Sequence, residues 1–247
     1  MSTMPASRTG NGAIAPDDTG AWRSQTRVFL QPVAAPSILG LFGFAGATFM
    51  VAANMAGWYG DAGSGVYIFP FAAAFGGLAQ FVAGLWAYRA RDGIATAMHG
   101  MWGAFWLAYG LLWALRAVGD LKLPAGEFPA FGFWFIVLSA ITICGALAAM
   151  FENLSLFAVL GVLATGSAFA AVYFLTGIEG WKTAAGWVLL ASSWLATYTA
   201  FAMMLEGAAG RVILPLGQLS RRANVPGRHE HIPLQFELGE PGVRRGQ

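Results

Sequence analysis

The hydrophobic positions of this chain fall into long runs that are separated by short polar or glycine-rich segments. Six such runs cover residues 36–59, 66–89, 94–118, 130–151, 154–176 and 184–206. Each is close to the roughly 20 residues that a helix needs to cross the hydrocarbon core of a bilayer. None alternates strictly between apolar and polar residues, as membrane-barrel strands do, so the pattern predicts helices. We therefore predict an all-α integral membrane protein, a bundle of six transmembrane helices.

Polar segments flank the six runs. Residues 1–34 are rich in Ser, Thr, Gly and Asp and contain no early apolar stretch of the signal-peptide kind. The other end of the chain finishes in a polar stretch from Arg221 to Gln247. We predict a flexible cytoplasmic N-terminal tail at 1–34, a six-helix transmembrane domain at 35–217 and a flexible cytoplasmic C-terminal tail at 218–247.

The basic residues are distributed unevenly between the two sides that this arrangement creates. Three of the 14 lie on one side, namely Arg116, Lys122 and Lys182. The remaining eleven lie on the side that holds both tails: Arg8, Arg23, Arg27, Arg89, Arg91, Arg211, Arg221, Arg222, Arg228, Arg244 and Arg245. Because cytoplasmic loops carry the excess of Lys and Arg, both termini are predicted to be cytoplasmic.

Composition supports the membrane class. Charged residues make up 11% of the chain and hydrophobic residues 57%, whereas a soluble protein carries about 25% charged residues. The single cysteine, Cys144, excludes an intramolecular disulfide and a cysteine-based metal site.

The six hydrophobic runs lack charged residues near their centres, and the sequence lacks common catalytic motifs. No run has an Asp, Glu, Lys or Arg near its centre, which argues against a carboxylate-relay pump and against an ion-hydrating pore. His-Glu-x-x-His, Gly-x-Ser-x-Gly and P-loop motifs are absent from the sequence. His229-Glu230-His231 is a run of potential metal ligands, but no predicted helix surrounds it, so we expect no metal site there. We expect no catalytic residue, metal, cofactor or nucleic-acid partner, and a protein that moves small molecules.

Two uncharged polar residues inside the runs allow more than one interpretation. Gln80 shares a helix face with Gly76 and Gly84, so it could form a hydrogen bond across a helix–helix contact. Alternatively, it could face a narrow path and bind a passing solute. His99, about one turn into the third run, could be a structural hydrogen-bonding residue or a proton relay.

Three segments resemble the acetate uptake transporter family, also called the YaaH-like or AceTr family. APSILGLFGF at 35–44 resembles the family's Asn-Pro-x-Pro-Leu-Gly-Leu-x-x-Phe at the start of its first helix. FGGLAQFVAG at 75–84 is followed at 103–106 by GAFW, as in the family. GRVILPLG at 210–217 is similar to the closing Gly-Arg-x-x-Leu-Pro-x-Gly.

The resemblance implies six-helix protomers in a ring-shaped homohexamer of the plasma (inner) membrane, each protomer with its own path. It implies acetate as the substrate, with succinate, lactate or related carboxylates as alternatives, moved by proton-linked uptake or channel-like permeation. The N-terminal family motif corresponds to Pro36, Leu39, Gly40 and Leu41. The path and its constriction correspond to Phe44, Gln80, Trp102, a position near Thr165 to Ser167, and the pair Ala196 and Tyr198, of which Ala196 is tied to substrate size.

An apolar neck suits this substrate. Aromatic side chains accommodate the methyl group and the neutral acid, and they exclude hydrated ions by dewetting. Pro36 in the first helical turn also leaves a helix N-terminus open to an anion. Ordinary core or lipid packing is the alternative for Phe44 and Trp102. For the whole protein, the alternative is a membrane sensor or interaction protein of the same fold without transport activity.

The chain departs from the family pattern at several positions. Ala35 replaces the leading Asn, Ile38 replaces the second Pro, Ala87 replaces an acidic residue, and Trp102 replaces an aromatic that is often Tyr. Substrate preference is therefore expected to differ more than the fold, and the bulkier indole predicts stricter selection by size.

Overall fold

The computed structural model describes residues 34–61, 63–119 and 128–219. These residues form long helices: α1 (Pro36–Met55), α2 (Gly65–Ala90), α3 (Gly93–Ala117), α4 (Pro129–Ala149), α5 (Leu154–Thr176) and α6 (Glu179–Ala209). No named strand occurs in the described residues, and all of them belong to one compact unit. The tails predicted at 1–34 and 218–247 lie almost wholly outside this part of the chain, as does Lys122.

Five of the helices, α1, α2, α4, α5 and α6, are long and apolar enough to cross a membrane. The third run also forms a long helix, α3 with 25 residues, and its buried face includes His99 and Trp102. A helical membrane protein was therefore predicted correctly from the hydrophobic runs.

Local chemistry sets the helix ends. Pro36 occupies the first turn of α1, where its missing N–H costs no hydrogen bond. Asp92 and Asn153 cap α3 and α5, accepting hydrogen bonds of 2.8 Å from the backbone N–H groups of Ala95 and Leu156. The prediction that the first helix reaches residue 59 is wrong, because the chain turns at Gly57, whose φ is +80°.

The last helix is longer than predicted. Gly177, with φ +69°, ends α5, and α6 begins at Glu179 instead of residue 184. Its first turn is polar, with the Lys182 Nζ atom 3.1 Å from Glu179 Oε2. Because a hydrophobic run marks only the part of a helix that suits hydrocarbon, polar turns at either end go unrecognised.

A π-helical segment, Ala72–Ala79, interrupts α2 shortly after Pro70. Pro70 has no N–H to donate to the carbonyl four residues before it, so it removes a hydrogen bond from the turn that precedes this segment. The segment ends directly before Gln80, and π-helical turns often occur near functional positions.

The segment after α6 folds back onto the turn between α4 and α5. The N–H groups of Leu154 and Ser155 donate to the carbonyls of Gly217 and Leu216, at 2.8 Å and 3.0 Å. The Tyr198 hydroxyl donates to the Pro215 carbonyl at 2.7 Å. The GRVILPLG segment thus supports the α4–α5 turn.

Candidate functional site

Two cavities lie end to end in the bundle. The first is lined near its mouth by residues from the start of α1, the α2–α3 turn, the α4–α5 turn and the end of α6: Ser37, Asp92, Glu152 and Met203. The second is lined by residues from the end of α1, the middle of α3, the start of α4 and the end of α5: Met55, Tyr109, Phe131 and Phe174. The cavities therefore open towards opposite ends of the bundle.

Three apolar side chains form a neck where the cavities meet. Trp102 and Leu163 line both cavities, and Phe44 lines the first. The ring centroids of Phe44 and Trp102 are 6.3 Å apart with an interplanar angle of 66°. Each of the three side chains is at most 3% exposed. An apolar constriction of this kind disfavours the passage of hydrated ions.

The indole of Trp102 is held in place by a polar contact. Its Nε1–H donates to the Thr142 hydroxyl at 3.0 Å, and that hydroxyl donates in turn to the Leu138 carbonyl at 2.6 Å. The ring of Phe105 packs edge-on at 5.4 Å. The indole of Trp102 is therefore held in one orientation within the neck by a hydrogen bond and by ring packing.

Four buried side-chain atoms have no hydrogen-bond partner among the described residues: Gln80 Oε1, His99 Nδ1, Thr48 Oγ1 and Trp106 Nε1. The first two residues line the first cavity, and the other two line the second. Buried polar atoms normally find a partner, so these four are suited to hydrogen-bond a polar solute or water. The space open to a water-sized sphere is about 40 Å³ in the first cavity and about 60 Å³ in the second, whereas one water needs about 10–15 Å³.

Two carboxyl groups lie at the mouth of the first cavity. Burial raises the pKa of Asp92, although its hydrogen bonds to backbone N–H groups of α3 oppose that shift. Burial, reinforced by the nearby charge of Asp92, raises the pKa of Glu152 to about 7. In the described residues no Lys or Arg lines this cavity.

The N-terminal motif lies beside the first cavity. Leu41 lines it, and Gly40 packs against the imidazole of His99, where an added Cβ would come within 2.5 Å of Nδ1. Gly40 is therefore required for His99 to occupy its position. Pro36 begins α1, and Leu39 is 47% exposed on its outer face.

The remaining predicted site residues do not line either of these two cavities. Thr165 is exposed and its hydroxyl bonds to the Gly161 carbonyl at 3.0 Å. Ser167 and Ala196 are fully buried, Ser167 bonding to the Leu163 carbonyl at 2.8 Å. Tyr198 contacts the C-terminal segment, and none of these four lines either cavity.

Leu163 occupies the place in the neck for which the family resemblance implied a residue near Thr165 to Ser167. Two residues along a helix turn the side chain by about 200°, so Thr165 points outwards where Leu163 points inwards. A leucine within an apolar run gives no signal that separates it from ordinary core. Glu152 at the mouth was also missed, because its closeness to Asp92 depends on the fold.

The structure also bears on whether the protein could hold a metal ion. Among the described residues, no group of three or more His, Cys, Asp or Glu side chains is placed to hold a metal ion. The run at 229–231 lies outside the described residues.

A family model described as the GPR1/FUN34/yaaH family matches residues 20–221. The succinate-acetate/proton symporter SatP of Escherichia coli K12 is 27% identical over 191 residues, which cover 75% of this chain and 96% of that protein.

A second relative and a solved structure are also similar to this chain. The ammonia transport outward protein 2 of Saccharomyces cerevisiae S288c is 28% identical over 172 residues, 68% of this chain and 60% of that protein. A solved structure of the bacterial acetate channel SatP matches with a TM-score of 0.69 at 25% identity, covering 75% of this chain and all of that one.

Proposed function

The chain belongs to the GPR1/FUN34/yaaH family, and we propose that it is a proton-linked membrane transporter or channel for acetate and related short-chain monocarboxylates or succinate. The resemblance read from the three sequence segments is thereby confirmed. So is the expectation that the protein is not an enzyme, since the relatives are named as transporters and a channel.

The observation that carries the proposal is the pair of cavities joined at the neck of Phe44, Trp102 and Leu163. A short carboxylic acid needs an apolar passage for its methyl group and a few hydrogen-bonding atoms for its carboxyl group. The neck supplies the first requirement. The unpartnered atoms of Gln80 and His99 on one side, and of Thr48 and Trp106 on the other, supply the second.

The six-helix topology is part of the same proposal. We assign α3 as a sixth membrane span, because it packs among the other helices and contributes Trp102 to the neck. With six spans both termini lie on one side, and the excess of basic residues assigns that side to the cytoplasm of the plasma (inner) membrane. The first cavity then opens to the cytoplasm, and the assembly is a homohexamer by family resemblance.

Within the path we assign roles by position. Phe44 and Trp102 select by size with Leu163, and Gln80 binds the carboxyl group in the first cavity. Ser167 and Ala196 act indirectly, by supporting the helices that present Leu163 and the α6 wall. Thr165 and Tyr198 have no direct role in the path, because their hydroxyls are engaged by backbone carbonyls outside it.

Flux in proteoliposomes tests the proposal. Purified protein is reconstituted, and exchange of labelled acetate is measured with protein-free liposomes subtracted, since acetic acid crosses bilayers unaided. Saturable exchange that unlabelled succinate and lactate inhibit is the expected result. An absence of protein-dependent flux with all of these solutes would contradict the proposal and would favour a sensor of the same fold.

A further inference from the structure

The first cavity contains a carboxyl pair that the transport path as described does not use. We propose that Glu152 is the proton-binding residue of this path, and that the first cavity accepts a carboxylate anion only when Glu152 is protonated. This inference rests on the proposed function and assigns its proton to one residue.

The placement of Glu152 makes it part of the cavity wall. It lies in the turn between α4 and α5, beside the Asn153 cap of α5. Its backbone is fixed, since its carbonyl accepts a 2.9 Å hydrogen bond from the Leu219 N–H and its own N–H donates to Ala149 at 2.9 Å. The side chain lines both the first cavity and an adjoining outer groove.

The two carboxyl groups at the mouth are not equivalent. Asp92 Oδ1 accepts the 2.8 Å hydrogen bond from Ala95 that caps α3, so this carboxylate has a structural role. The Glu152 carboxyl makes no hydrogen bond or ion pair to any described residue. Glu152 is therefore the member of the pair that is available to bind and release a proton.

Inside the first cavity, no Lys or Arg among the described residues offsets the charge of Glu152. The polar or titratable groups that face the cavity are Ser37 from α1, Gln80 from α2, Asp92 and His99 at the start of α3, Asn153 from α5 and Thr199 from α6. Arg91 lies outside the first cavity, in the outer groove that both carboxyls also line. Glu206 and Arg211 line neither cavity.

Electrostatics then couples proton and substrate. With both carboxyls ionised, a carboxylate in the cavity meets two like charges in a partly desolvated site. Protonation converts the Glu152 carboxylate into a neutral carboxyl group, which removes one repulsion and supplies an O–H donor to the anion. The step is reversible proton binding at Glu152. The Glu152 carboxylate and a proton combine to the carboxylic acid, and the proton is released again when the substrate leaves.

The linkage works in both directions. If protonated Glu152 binds the anion more tightly, the bound anion raises the proton affinity of Glu152 by the same factor. Burial and the Asp92 charge already bring the pKa of Glu152 to about 7. The protonated fraction therefore changes about tenfold between pH 6 and pH 8, which is the range over which coupling must operate.

The pH dependence of acetate exchange in Glu152→Gln tests this inference. Glutamine has the shape of the protonated acid and keeps a donor, but it cannot ionise. Exchange is measured at equal pH on both sides of the liposome, from pH 5.5 to 8.5. Wild type should lose about tenfold in rate between pH 6 and pH 8. The variant should stay within about twofold across the range and exceed wild type at pH 8.

Glu206→Gln is the matched control, because it neutralises a carboxyl on α6 that lies outside both cavities. It should keep the wild-type profile. A wild-type profile in Glu152→Gln, or a variant that is slower than wild type mainly at high pH, would overturn the inference while leaving transport itself intact. Wild-type protein without any exchange would instead refute the proposed function.

Asp92→Asn provides a second test if Glu152→Gln does not fold. Asparagine is as good a helix cap as aspartate, so the substitution removes the charge and keeps the cap. Losing that charge should lower the pKa of Glu152 and move the fall in exchange to lower pH. An unmoved profile would overturn the inference.

Discussion

Size selection at the neck depends on Trp102, and shortening this side chain should relax it. Trp102→Ala replaces an indole that is 3% exposed and that lines both cavities. The two cavities would become one continuous space. We expect the ratio of lactate to acetate uptake to rise, and Trp102→Phe to raise it less, because phenylalanine still fills part of the neck.

The magnitude follows from the size of the group that is excluded. Lactate exceeds acetate by roughly one carbon and one hydroxyl, and an extra methylene-sized group in an apolar site changes discrimination by about 1–3 kcal/mol, or about 10–200-fold. Trp102→Ala should therefore raise the ratio at least about tenfold. It should also destabilise the fold by about 3–5 kcal/mol, so protein abundance must be matched.

The assay is uptake of labelled lactate and acetate into proteoliposomes of equal protein content, together with thermal unfolding in detergent. Thr142→Val separates packing from permeation, since it keeps the Trp102 side chain but removes the acceptor of its Nε1–H bond, together with the hydroxyl's own bond to the Leu138 carbonyl. This variant should lose about 1–3 kcal/mol of stability with a smaller change in the ratio than Trp102→Phe. Trp134→Ala, on a side chain that is 46% exposed, should leave the ratio unchanged.

The reasoning would be refuted by an unchanged lactate-to-acetate ratio in both Trp102 variants at matched abundance. It would also be refuted if Trp134→Ala raised the ratio as much as Trp102→Ala did. Either outcome would mean that the joined cavities are not the route of the substrate.

Three further predictions concern other parts of the path. Gln80→Ala should lower carboxylate exchange by up to about tenfold, which corresponds to one hydrogen bond of about 0.5–1.5 kcal/mol. It should cost little stability, because Gln80 Oε1 bonds to no described residue. Defective assembly with normal exchange in the assembled fraction would show instead that Gln80 forms a helix–helix contact. Leu163→Ala should raise the lactate-to-acetate ratio more than Ala196→Gly, because only Leu163 lines the cavities; the reverse order would place Ala196 in the path. The pKa of Glu152 is raised to about 7 in the folded protein, so the stabilisation from its protonated form is present at pH 4.5 and is lost as pH rises through 7. Thermal unfolding over this range should show that wild type loses about 1 kcal/mol of stability after solvent screening and that Glu152→Gln loses less. Equal losses in the two proteins would contradict the raised pKa.

The helices were predictable because hydrocarbon imposes a length and a polarity on each run, and the runs at 36–59 and 154–176 begin where α1 and α5 begin. The polar first turn of α6 was not predictable in this way, since Glu179 and Lys182 stabilise a helical turn outside the apolar stretch. The π-helical segment Ala72–Ala79 was also missed, because hydrophobicity does not report the hydrogen-bond pattern of a helix.

The candidate site was predictable only where a residue stands out chemically. Gln80 is polar within an apolar run, and Phe44 and Trp102 were identified through the family resemblance. Leu163 resembles any other core leucine, and its role depends on which side of α5 faces the neck. Glu152 lies 60 residues from Asp92 in the sequence, so their pairing depends on how the α2–α3 and α4–α5 turns meet.

The central claim is that solutes cross the protein through the two cavities, and thiol modification of reconstituted protein tests it most directly. In a Cys144→Ser background, which removes the single cysteine, Ser37→Cys places a thiol in the first cavity, Thr48→Cys places one in the second, and Thr165→Cys places one on the exposed outer face. A charged methanethiosulfonate reagent is then added to one side of the membrane at a time. It should block acetate exchange by Ser37→Cys from the cytoplasmic side and by Thr48→Cys from the other side. Thr165→Cys should stay active in both cases. Labelled thiols in both cavities with exchange unimpaired would contradict the account.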